Sequence, residues 1–271
     1  MILDIYNDSI KYSIKNSKSI LYFGLTLFST FIIWMAYILI LIHYQEANLN
    51  LKFASLIVPS LLTLIPIFLF LGYEYRILEI STHGMINGTD KVPEFNNLKE
   101  MLINGVKIFL VKFVYFAVPI IILAVTTTPF LDNISGGIIQ TAGATISMIL
   151  AIILYFVSFI SLSNMAAHDN FKKAFDFKEI KEVILTIGPA RYVLFYIGLL
   201  IIECVIAFVL FAITMIAMMI IGTSGINTLT SPEPLWWAMF FLTNLIFSLI
   251  IALAELFKTR GIGLIYEPVE E

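Results

Sequence analysis

Six apolar stretches, each long enough to cross a bilayer, constrain this chain more than any other feature. A hydrocarbon core of ~30 Å needs about 20 apolar residues rising ~1.5 Å each. The stretches cover residues 19–42, 53–71, 106–125, 137–162, 190–221 and 235–257. The fifth is the longest and should tilt, kink or begin in the headgroup layer. The runs are continuous rather than alternating, which argues against a β-barrel. The first is too long for a signal-peptide core, and no small-residue cleavage site follows it.

Composition agrees with the spans. The chain has 271 residues, 60% hydrophobic and 13% charged, with a mean hydropathy of +0.96. Soluble domains carry about 25% charged residues. A water-soluble enzyme, a disordered chain and a nucleic-acid binder are therefore excluded. The lone Cys204 cannot form an intramolecular disulfide. The expected fold is all-α and polytopic, a single membrane domain over 1–271 with six transmembrane helices in three hairpins.

Lysine and arginine placement predicts the orientation. Fifteen of the sixteen basic residues fall on one side, in the segment before the first span, the segments after the second and fourth, and the tail with Lys258 and Arg260. Lys52 is alone on the other side. Both termini are expected in the cytoplasm. Most acidic residues share that face, which is therefore close to neutral and no polybasic patch. The short outer segments carry Glu46, Asp132 and Glu233, and a glycosylation sequon at Asn133.

The inner segments resemble one another. Phe95, Leu98 and Leu102 repeat the spacing of Phe177, Ile180 and Ile184, and Tyr6, Ile10 and Ile14 form a weaker third stripe. Each precedes an aromatic pair opening a span: Tyr22-Phe23, Tyr115-Phe116 and Phe195-Tyr196. The spacing predicts an interfacial amphipathic helix before each hairpin, in repeat-like units of about 1–90, 91–170 and 171–271. Asn97 and Asp176 stand where helix caps belong. Arg76, Phe95 and Phe177 are the expected interfacial anchors.

Breakers and buried polar groups supply the candidate functional features. Pro59, Pro66 and Pro119 lie in spans, where neighbouring helices can satisfy the freed carbonyls. Gly136, Gly137, Thr141 and Gly143 give the fourth span a small-residue face. Glu203 stands about a dozen residues into the fifth span, near the expected membrane middle, where a lone carboxylate is costly. Its candidate partners are Asn244 in the sixth span and Lys112 in the third. His43, His83 and His168 have no ligand spacing, so no metal site is expected. No nucleotide loop and no nucleophile–base set is present, so neither a cofactor nor an enzymatic activity is expected.

The stretch Gly72-Tyr73-Glu74-Tyr75-Arg76-Ile77, followed by Asp90-Lys91-Val92-Pro93-Glu94-Phe95 and closing at Gly105-Val106-Lys107, resembles an uncharacterised family of archaeal multi-span membrane proteins, a domain of unknown function. Val92 replaces the family's leucine and Asn96 its acid, and an aromatic after the turn is missing. The resemblance implies an archaeal plasma-membrane protein and carries no activity with it. The functional expectation is a structural or accessory membrane protein at the cytoplasmic face of the plasma membrane. The alternative is a transporter or permease for a small solute or lipid that uses Glu203. The lipid bilayer is the expected partner. A membrane-protein partner or a second copy is left open, and nucleic acid is not expected.

Overall fold

A computed structural model describes residues 1–43, 55–88, 90–128, 137–222 and 234–266. Glu46, Lys52, Thr89, Asp132, the Asn133 sequon, Gly136 and Glu233 lie outside the described residues, as does the expected start of the second span. The described residues form α1 (Ile2–Lys15), α2 (Ser17–His43), α3 (Ile57–Thr82), α4 (Leu98–Thr126), α5 (Ile138–Ala167), a 3-10 turn (Phe171–Phe175), α6 (Phe177–Ile187), α7 (Pro189–Gly222) and α8 (Pro234–Ile265). Among them, α2, α3, α4, α5, α7 and α8 are long and apolar enough to cross a membrane.

The helices outrun the apolar stretches, and mostly at one end of the bundle. Helix α3 continues from Leu71 to Thr82, α4 begins at Leu98, α5 reaches Ala167 and α8 runs on to Ile265. Contacts gather these extensions together. Tyr266, just past the end of α8, donates to Asn164 on α5 at 2.7 Å, and Arg76 on α3 donates to Glu100 on α4 at 3.2 Å. We call this the polar end. Lys258 and Arg260, expected in a tail, are helical residues of α8.

Close backbone approach sets the central contact. Helix α4 packs on α3 more extensively than any other pair. A methyl group at Gly72 would overlap the backbone carbonyl of Met101, and one at Gly105 would overlap that of Phe68. The two glycines lock into each other's helix in antiparallel register. Without a hydrophobic drive between helices in lipid, such contact supplies van der Waals association. Around this pair, α5 packs on α4, and α8 packs on both α2 and α3. Helix α7 leans mainly on α8 and α6.

The prolines do not break their helices. Both α3 and α4 run continuously through Pro66 and Pro119. Ser147 of α5 donates to the Pro119 carbonyl at 2.7 Å, tying α5 to the bend.

The three segments of similar spacing take different forms. The first and third are separate helices, α1 and α6, broken from their spans at Asn16 and Gly188. The second is no separate helix: it is the first turns of α4. Its buried face is Met101, Gly105 and Ile108, while Leu98 is exposed. The glycine contact with α3 decides which side turns inward. Helix α6 buries Ile180, Val183 and Ile187 against the protein. Helix α1 has a mixed inner face. It buries Ile5 and Tyr12 but turns Asp8, Ser9 and Ser13 inward with them and leaves Leu3, Ile10 and Ile14 exposed.

Candidate functional site

Within the long helices, ionisable side chains meet across helix boundaries. The Lys112 ammonium sits 3.0 Å from both carboxylate oxygens of Glu74, which is buried. Lys258 lies 2.6 Å from Glu255 and 3.6 Å from Glu203. The Tyr155 hydroxyl donates towards Glu203 at 3.3 Å. Glu74 is near enough to Lys258 to act on it electrostatically. Helices α3, α4, α5, α7 and α8 thus contribute one cluster of three carboxylates, two ammonium groups and a phenol.

Charge pairing in this cluster is uneven. Two ammonium groups cannot neutralise three carboxylates. Glu203 makes the longest ion-pair contact of the three and keeps 35% of its side-chain surface exposed. It lines a cavity of about 210 Å³ between α7 and α8, walled otherwise by Leu199, Ile202, Ile206 and Leu210, with Glu255 and Lys258 opposite. This carboxyl is the most loosely paired of the three.

The expected partners of Glu203 are not its neighbours. Lys112 is engaged by Glu74. Asn244 donates to its own helix at the Phe240 carbonyl, 2.9 Å away, and its own carbonyl accepts from Ser248. Glu203 is also nearer the polar end than a count from the start of the fifth apolar run implies. It is level with Lys258, about two turns from the end of α8. The first turns of α7 pack beside α1 and the end of α5, through Phe195 against Tyr6 and through Tyr192 donating to the Phe156 carbonyl.

The expected anchors also differ in their surroundings. Arg76 does not serve its own helix end. It donates to the carbonyls of Glu94 and Asn96 at 3.1 and 2.9 Å and so holds the segment that leads into α4. Phe95 is half-buried, with ring centroids 5.6 Å from Tyr22 and 5.4 Å from Tyr73. Phe177 alone remains largely exposed. Asp176 accepts from the Glu179 N–H at 3.2 Å as a cap should, and this bond holds its carboxyl below the ordinary aspartate range. Asn97 sits at the cap position of α4 in a left-handed conformation and spends its side chain on Glu100 instead.

A second charged cluster closes the polar end. Arg260, 1% exposed, donates through Nε to Asp8 at 3.0 Å and through Nη2 to Asp90 at 2.6 Å. Its guanidinium also lies over the Tyr12 ring, 4.8 Å from the centroid. The second Asp8 oxygen accepts the Asn87 N–H at 2.8 Å. Burial pushes the Tyr12 hydroxyl above its ordinary range. Three distant segments are thereby pinned to one guanidinium.

Sequence reasoning about spans does not single out Glu74, Tyr155, Glu255, Asp8 or Asp90, and it reads Lys258 and Arg260 only as topology markers. The available signal is the apolar periodicity that continues beyond the charges, as in Leu256, Ile262 and Ile265 of α8. Among the described residues, no group of acidic, histidine or cysteine side chains is arranged to hold a metal ion.

Residues 55–221 match the model of a family described as a protein of unknown function (DUF4013). Comparison with curated proteins and with solved structures gives no match. The matched region runs from α3 into the end of α7. It contains Glu74, Lys112, Tyr155 and Glu203 but not Glu255, Lys258 or Arg260.

Proposed function

The chain belongs to the DUF4013 family, and from that premise we propose that it is an accessory membrane protein at the cytoplasmic face of the plasma membrane. The protein is an integral, multi-pass membrane protein by its six spans. The observation that carries the accessory reading is that both ammonium groups within the bundle are paired by the protein itself. Intramembrane ionisable groups are expensive unless paired, and here Lys112 and Lys258 are each tied to a carboxylate on the protein itself. Stacked rings fill the space between α1, α5 and α7, with Phe159 on Tyr196 at 5.2 Å and Tyr6 on Phe195 at 5.3 Å. The distribution of lysine and arginine supports placing the polar end in the cytoplasm.

A second reading, a transporter or permease for a small solute or lipid, has one observation in its favour. Glu203 is the most loosely paired carboxylate and borders a cavity. Reconstitution separates the two. Proteoliposomes loaded with a pH-sensitive dye are given a proton gradient, with and without small cations. The accessory reading expects wild type and Glu203→Gln to match protein-free vesicles. A flux in wild type that disappears in Glu203→Gln would establish the transport reading instead.

A further inference from the structure

We propose that the polar end carries a binding site for one anionic phospholipid, its phosphate held between α1 and Arg260 and its chain laid along α7 and α8. The inference deepens the reading of the polar end as a membrane-surface face and rests on it.

The headgroup end is a cavity of about 620 Å³ lined by Lys11, Lys15, Tyr12, Asp8, Asp90 and Arg260, among others. Its carboxylates are already committed, Asp8 to Arg260 and the Asn87 N–H, and Asp90 to Arg260. Lys11 and Lys15 are exposed and have no acidic partner among the described residues. Three cations against two carboxylates leave a formal charge of +1, which a single phosphodiester would neutralise. Two buried donors on the same walls also lack partners, the Tyr12 hydroxyl and Arg260 Nη1. Unpaired buried donors are rare and call for an acceptor.

The chain end adjoins it. A second, apolar cavity of about 280 Å³ is formed by Ile10, Ile14, Ile202, Ile206, Leu253 and Phe257. Ile10 and Ile14 line both cavities. A ligand that occupies the two together must therefore be charged at one end and apolar along the other. The outer face of α1 has the same meaning. Ile10 and Ile14 are exposed beside Lys11 and Lys15, the arrangement of a helix surface lying at the acyl–phosphate boundary. The whole face is near neutral by count, yet its charges are segregated: the acids are spent on Arg260 and the lysines are left at the rim.

The test uses the full chain in phosphatidylcholine nanodiscs with phosphatidylglycerol titrated in. Lipids retained on release are counted by native mass spectrometry, and the melting temperature is read in parallel. Wild type should retain phosphatidylglycerol in preference and melt higher with it. A lysine near a charged surface contributes about fivefold to binding. The Lys11→Gln/Lys15→Gln double variant, altered only at exposed positions, should then bind about twenty-five-fold more weakly. Ile14→Ser should also lower retention. A double variant that keeps the preference overturns the site. So does an equal loss from Lys172→Gln/Lys178→Gln, exposed lysines on a different segment, because the effect would then be general surface charge. Inorganic phosphate raising the melting temperature as much as the lipid would show a free-anion site and overturn the lipid assignment. None of these outcomes depends on proton flux, so the failure of this site and the failure of the accessory reading are distinguishable.

Discussion

Helices α3 and α7 have similar need of a bilayer and very different relations to the protein. Helix α3 buries Gly72, Tyr73, Glu74, Tyr75, Ile77 and Leu78 against α4 and α8. Helix α7 exposes Val205, Phe208, Phe211 and Ile216, with Phe208 71% exposed. The more apolar of the two helices is the less buried. In water the reverse would hold, because burial of apolar surface drives packing. In lipid an apolar side chain gains nothing by leaving the hydrocarbon. Packing is then decided by small residues that admit a neighbour's backbone, and by polar groups that must find partners. Helix α3 has Gly72, Glu74 and a polar last turn. The outer half of α7 has none of these.

The contrast is broken most directly at the glycines. Gly105→Leu, or Gly72→Leu, puts a side chain where the facing helix has its carbonyl. Overpacking commonly costs 1–3 kcal/mol, and rigid backbone on the other side leaves little room for relief. A loss of roughly 3 kcal/mol is expected, read as a large fall in melting temperature in detergent. A Gly105→Leu protein melting like wild type would show that α3 and α4 are not locked here.

The ion pair tests the other half of the argument. Breaking a buried pair by removing one partner is strongly destabilising, while replacing both is often close to neutral. Lys112→Met leaves Glu74 buried without its cation and should cost about 2 kcal/mol. Glu74→Gln should cost less, because the Lys112 side chain is 31% exposed and can turn outward. The Glu74→Gln/Lys112→Met pair should recover most of the loss. A thermal-unfolding cycle checks the order. Additive losses would mean that the pair is not coupled.

Helix α7 should tolerate what α3 cannot. Phe208→Ala and Phe211→Ala are each expected to change stability by no more than about 0.5 kcal/mol, since lipid replaces lipid contact. A larger loss, or a change in oligomeric state on size exclusion in mild detergent, would mean that protein covers this face.

These cases also explain what the sequence makes legible. Hydropathy finds six spans because a continuous apolar run is a local property. It misplaces their inner ends because the helix continues for as long as its polar side chains find partners, and those partners are remote in sequence. Arg260 is an example. In a linear reading it is a tail charge, and only the approach of Asp8 and Asp90 makes it a buried hub. Glu203 is visible from sequence as an anomaly, but its neighbours are not, because Lys258 lies just past the end of an apolar run. Helices α1 and α6 fall on two of the similarly spaced segments. The spacing does not reveal that α1 buries Asp8, Ser9 and Ser13, since a stripe gives a period and not a direction.

The smallest expected effect concerns one cap, at the start of α6. Asp176 accepts the Glu179 N–H, and that bond, with help from Lys173, holds its carboxyl below the ordinary value of 3.8. A carboxyl lowered in the folded state stabilises it fully above the unfolded value and loses that contribution as pH falls through the lowered one. The cap should therefore hold at pH 6 and fail in strong acid. Hydrogen exchange at the Glu179 amide reports it locally. Protection at that amide, corrected for intrinsic exchange, should be lost in wild type as pH drops below the ordinary aspartate value. Asp176→Asn, which caps without titrating, should show no such step. Asp176→Ala should be unprotected at both pH values. If the step persists in Asp176→Asn, another acid governs the start of α6, and Glu179, which shares Lys173 at close range, becomes the group to change next.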